Sequence, residues 1–95
     1  MKMQKHQELF LKTTKEYSRQ TNQILDILEK SNPIQIRQLL TISSKLKSSL
    51  QKLNGQQPIF KRYINNAAKY TSMLQPYIDL LEETKSELEK MGVRK

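Results

Sequence analysis

FKRYINNAAKYTSMLQPYIDLLEETKSELEKM, residues 60–91, decides the fold. Phe60, Tyr63, Ala67, Tyr70, Leu74, Tyr77, Leu81, Thr84, Leu88 and Met91 follow one another at alternating spacings of three and four. Nine of the ten are apolar or aromatic. A 3.5-residue repeat sustained this long keeps one face of a helix turned toward a partner, as a bundle helix or a left-handed coiled coil requires. Pro76 interrupts the backbone ladder, because it has no N–H for the carbonyl of Ser72 and its ring crowds that turn, at a cost of about 3 kcal/mol. The seam keeps its phase on both sides of Pro76, so a long third helix kinked at the proline is expected. The alternative is a four-helix bundle broken at Pro76.

Upstream punctuation is sparse. Ser31-Asn32-Pro33 joins capping side chains to a proline suited to a first helical position. Asn54-Gly55 offers left-handed residues that end a helix, Pro58 can open the next, and Gly92 can stop the last. These signals predict helices over about 3–30, 33–53 and 58–91, within a single all-α domain spanning 1–95: a three-helix hairpin or bundle with coiled-coil-like heptads. Helix two repeats the seam with Ile36, Leu39, Ser43, Leu46, Leu50 and Leu53. In helix one, Met3, Phe10, Tyr17 and Ile24 recur every seven residues. The companion column of His6, Thr13 and Gln20 is polar until Ile27, so the front half of that helix is expected to pack weakly. Helix three, at roughly 50 Å against about 30 Å for helix two, should outrun its internal neighbour and present seam residues to other chains.

Ninety-five residues leave room for one small domain. Hydrophobic residues are 36% of the chain, low enough to make stability in isolation doubtful. The chain has no cysteine, which excludes disulfides, thiolate metal sites and thiol nucleophiles. No stretch approaches the ~18 apolar residues of a membrane span. The N-terminus lacks the apolar core of a secretory signal, and Glu8 and Glu16 argue against a mitochondrial presequence. A soluble intracellular chain used whole, in the cytoplasm, is expected.

The formal charge is +8, and no acidic residue stands between Glu29 and Asp79. Lys45, Lys47, Lys52, Lys61 and Arg62 form a basic patch in that interval, suited to steering an acidic partner. Antiparallel packing of helices two and three would gather these bases on one side of the rod.

Catalysis needs a nucleophile with its base, a carboxylate pair in a pocket, or a metal with several ligands. His6 has no companion at ligand spacing and reads as a solvated or seam-edge side chain. Glu82, Glu83, Glu87 and Glu89 alternate with Lys85 and Lys90, the mixture of an exposed helix face. No catalytic residue, metal site or cofactor is therefore expected. Tyr63, Tyr70 and Tyr77, interleaved with Lys61, Arg62 and Lys69, could stack on single-stranded nucleic acid, but strict heptad spacing assigns them to a seam. Helix two opposes apolar and basic faces as a membrane-surface helix would, yet its narrow seam matches another helix better.

Leu74-Gln75-Pro76-Tyr77-Ile78, with Glu82-Glu83 and Leu88-Glu89 downstream, resembles the family of subunit 2 of the complex for biogenesis of lysosome-related organelles. The likeness covers about twenty residues. It implies a non-enzymatic rod that assembles with similar helical subunits in the cytoplasm.

The reading is a structural or adaptor subunit of a larger assembly that binds partner helices through its seams. Phe60, Tyr63, Tyr70, Leu74, Tyr77, Leu81 and Leu88 are its expected anchors, some internal and some presented to partners. Two alternatives are a small helical chaperone or immunity-type protein holding a client segment, and a basic accessory that binds nucleic acid.

Overall fold

The structure, a computed structural model, describes residues 4–91. Met3 and Gly92, placed above in the first seam and at the final stop, lie outside the described residues. The fold is an all-α bundle of α1 (Lys5–Leu28), α2 (Pro33–Gly55), α3 (Gln57–Arg62) and α4 (Ala67–Lys90). No described residue is in a strand.

The second start signal works as its chemistry requires. Asn32 Oδ1 accepts from the Gln35 backbone N–H at 2.8 Å, Gln35 Oε1 accepts in return from the Asn32 N–H at 3.2 Å, and Pro33 opens α2. Asn54-Gly55 does not close α2 in the way expected. The helix runs through Gly55, and Gln56 turns the chain, its carbonyl receiving the Ile59 and Phe60 N–H groups of α3.

The long third helix is broken, and the break falls at 63–66 rather than at Pro76. The Asn66 side chain accepts from the Lys69 N–H at 3.1 Å and its carbonyl accepts from the Tyr70 N–H at 2.9 Å, so Asn66 caps a new helix. Ahead of it, the Asn66 N–H closes onto the Tyr63 carbonyl. A side chain that can replace backbone partners there outweighs the heptad phase, and Tyr63 and Ala67, at seam positions by count, are exposed.

Helix α4 instead continues through Pro76. Ser72 and Pro76 are both exposed, so the carbonyl without its helical donor lies on the solvent side, where water can serve it. Pro76→Ala should restore one helical hydrogen bond and remove a ring clash, against a smaller gain in unfolded-chain entropy. The expected result is about 1–2 kcal/mol of added stability and a thermal midpoint roughly 5–15 °C higher. A lower midpoint in the same melt would mean that the packing requires the proline.

Breaking the segment at 63–66 leaves three long helices of 24, 23 and 24 residues. Each is about 36 Å long at 1.5 Å per residue, and the bundle measures 47 × 21 × 19 Å. No surplus length of seam remains among the described residues. The hydrogen bonds of His6, Tyr17 and Gln20 reach Ile64, Tyr77 and Leu81 in the same order, so α1 and α4 run parallel. Helix α2 returns between them after the turn at 29–32 and packs against both.

The front half of α1 packs as firmly as the rest, contrary to the sequence reading. His6, Phe10, Thr13, Tyr17, Gln20 and Ile24 are all buried. The polar column is tolerated because each member has a partner: Thr13 Oγ1 donates to the Leu9 carbonyl, and Gln20 donates to the Leu81 carbonyl. No buried side-chain polar atom among the described residues is left unpaired.

Candidate functional site

Two candidate surfaces follow from this packing, and both depend on what the core has already used. Phe60, Tyr70, Leu74, Tyr77, Leu81 and Leu88 are buried in the chain's own core. Of the expected anchors only Tyr63 reaches the surface, at 36% exposure.

The polar centre of the bundle is a structural network. Gln20 Oε1 accepts from Thr84 Oγ1 at 2.6 Å, and Gln20 Nε2 donates to the Leu81 carbonyl at 3.2 Å. Tyr17 donates to the Tyr77 carbonyl at 2.7 Å, and the Tyr77 hydroxyl donates to Gln56 Oε1 at 2.6 Å. Burial pushes the Tyr17 phenol up to about 12 and also raises those of Tyr70 and Tyr77. Such a network fixes the register of α1 against α4. Thr84→Val, which strands the Gln20 oxygen, should therefore cost about 1–3 kcal/mol. Gln20→Leu with Thr84→Val should recover most of that loss in a double-mutant cycle read by urea denaturation. Additive losses would mean that the two side chains act separately.

Helix α3 closes the end of the bundle where α1 and α4 begin. Phe60 meets Phe10 and Tyr70 edge-to-face, each with centroids 5.0 Å apart, and Phe10 reaches Tyr70 at 6.3 Å. His6 is buried at this end rather than solvated. Its Nε2–H donates to the Ile64 carbonyl and its ring packs edge-on to Tyr70 at 4.7 Å, so the histidine holds the 63–66 turn. Against this cluster lies a groove of ≈ 230 Å³ walled by Leu11 and Ile64, with Gln7, Gln57 and Lys61 on its rim. Leu11 is off the seam and 45% exposed. Sequence reasoning missed this groove, although Asn65-Asn66 ahead of Ala67-Ala68 was a legible capping signal for the turn that creates it.

A second, larger groove of ≈ 380 Å³ runs between α1 and α4. Lys12, Lys85, Glu16 and Glu82 line it, so its charges balance. Arg19 forks onto Glu16, and its hydrogen bonds hold that carboxyl below its ordinary range, with Lys85 adding to the effect. The Glu16–Arg19 pair is the one ion pair among the described residues, and no group of three potential metal-ligating side chains occurs among them.

The basic patch is exposed throughout: Lys45, Lys47 and Lys52 on α2, Lys61 and Arg62 on α3. The bases do not gather into one stripe. Lys45 and Lys52, a heptad apart, share a flank, with Lys45 beside Ser44, Ser48 and Ser49 in a shallow trough. Lys47 stands on the opposite flank of buried Leu46. Lys69 reaches over the Tyr63 ring at 5.7 Å. No described helix is long and apolar enough to cross a membrane. No family model, curated protein or solved structure matches this chain.

Proposed function

We propose that the protein is a non-enzymatic adaptor subunit that attracts and docks an acidic protein partner through the exposed bases dispersed over both flanks of α2 and over α3. The observation that carries this reading is the run of exposed bases from Arg37 to Lys69, with no acidic residue in the interval and no ion pair to any of them among the described residues. Unpaired ammonium groups at these positions raise encounter rates with negative surfaces and cost nothing to expose. His6, the only histidine, is committed to a backbone carbonyl, which fits a scaffold better than a catalyst. The resemblance carried by Leu74-Gln75-Pro76-Tyr77-Ile78 supports a role within an assembly, and a cysteine-free chain suits the cytoplasm.

The partner meets a surface rather than completing a core, because the seams are filled from within. A small chaperone or immunity-type protein shares that property, and the groove beneath Lys61 favours it as a second reading. Affinity purification from the native source, after cross-linking and with nuclease treatment, separates the readings. A companion in fixed ratio supports the adaptor, a substoichiometric mixture of clients the chaperone, and recovery lost to nuclease the nucleic-acid accessory. Lys45→Glu with Lys47→Glu should leave helicity intact and reduce recovery of the companion roughly tenfold near 0.15 M salt, with a smaller difference at higher salt. Equal recovery of the companion by the charge-reversed chain would overturn the docking surface.

A further inference from the structure

We infer that the groove between α1 and α3 seats one large apolar side chain of an acidic protein segment; this rests on the adaptor reading and specifies the chemistry of its partner. Leu11, one of the six large hydrophobic side chains exposed among the described residues, lines the groove together with half-buried Ile64. The floor is the edge-packed cluster of Phe10, Phe60 and Tyr70, already rigid because each ring is held by the other two. A preformed apolar cleft binds without an ordering cost of its own. At ≈ 230 Å³ it has room for a single leucine- or phenylalanine-sized group.

The rim selects the neighbours of that group. Lys61 lines the groove, exposed Arg62 ends α3 beside it, exposed Lys69 stands in the first turn of α4, and residues 30–78 contain no acid to repel an anionic chain. Glu8, the acidic residue of the first turn of α1, is not among the lining side chains. Gln7 and Gln57 place amides on two sides, able to donate to and accept from a peptide backbone. Charge complementarity therefore points to a segment with acidic residues on either side of an apolar anchor. Nucleic acid fits less well, because base stacking needs open aromatic faces. The Tyr63 face lies beneath Lys69, and the floor rings are packed against one another.

The test titrates the isotope-labelled full chain, followed by backbone amide shifts, with a synthetic acidic peptide of about 14 residues, four turns of helix, carrying Leu and Phe among Glu and Asp. A second peptide of equal charge has Ser in place of Leu and Phe. The expected result is saturable shifts at Leu11, Gln57, Lys61 and Ile64, with the Ser peptide at least about tenfold weaker. Lys61→Glu and Leu11→Ser, both at exposed positions, should each weaken the first peptide roughly fivefold or more with helicity retained. Equal affinity for the two peptides, shifts confined to α2, or no saturation by about 1 mM would overturn the groove. So would tighter binding of a single-stranded oligonucleotide or of anionic phospholipid vesicles. If Lys45→Glu with Lys47→Glu abolishes companion recovery while Lys61→Glu and Leu11→Ser leave it unchanged, the adaptor survives and the groove falls. If none of these variants alters recovery, the adaptor reading itself fails.

Discussion

Leu74→Ala should lower the unfolding free energy by about 3–5 kcal/mol, close to the whole stability of a marginal 95-residue domain at ~0.05 kcal/mol per residue. Leu74 has no exposed surface and sits on the inward face of α4 between buried Tyr70 and Tyr77. Removing its branched end opens a cavity that rigid aromatic neighbours cannot fill. The loss is then the transfer energy of the missing carbons plus that of the void. Leu74→Asp should leave the chain unfolded, because a carboxylate there would have no partner and no water. In urea titrations, Leu25→Ala is the matching control, since Leu25 is 54% exposed and its loss should change stability by less than about 0.5 kcal/mol. Similar midpoints for Leu74→Ala and Leu25→Ala would sink the assignment of the seam to the chain's own core. Sequence analysis placed Leu74 among anchors that are either internal or presented to partners. With Leu74 sealed inside the bundle, folding itself is the first casualty.

Alkaline pH should unfold the protein through Tyr17. Its phenol is raised from 10.0 to about 12, chiefly by burial. The neutral form is thus favoured in the folded state, and the unfolded chain releases its proton first as pH rises. Stability from this group is complete below pH 10 and declines as pH climbs through the folded value near 12. That displacement corresponds to about 2 kcal/mol after solvent relaxation around the phenolate. Tyr70 and Tyr77 are shifted in the same direction by their own burial and steepen the decline. Tyr17→Phe should lose about 1 kcal/mol at pH 7, where the bond to the Tyr77 carbonyl is missing, and should then fall less steeply above pH 10. Urea midpoints at pH 7, 10 and 11.5 for both chains check this. Parallel slopes would show that Tyr17 ionises without penalty.

Much of the core was legible in spacing alone. Leu39, Leu46 and Leu53 in α2 and Tyr70, Leu74, Tyr77, Leu81 and Leu88 in α4 are buried where a 3.5-residue repeat places them. Such spacing needs no knowledge of partners, because the backbone geometry of a helix dictates which side chains share a face. The polar column of α1 was misjudged for the same reason. Gln20 and Thr84 become core residues only when α1 and α4 lie side by side in one register, and they are 64 residues apart in the chain.

The candidate site was less legible. The exposed bases from Arg37 to Lys69 could be read from the sequence, but their dispersal around α2 and the groove under Lys61 could not. That groove exists because Asn66 starts a new helix, His6 holds the Ile64 carbonyl, and Phe60 then swings onto Phe10. The sequence by itself determined helix content, the capping of α2 and most of the buried faces, since these follow from local hydrogen bonding and periodicity. Only the tertiary structure decided that the seams pack against one another within the chain, and that the break falls at 63–66 and not at Pro76. Both outcomes turn on a competition between capping, packing and solvent access that no single segment contains.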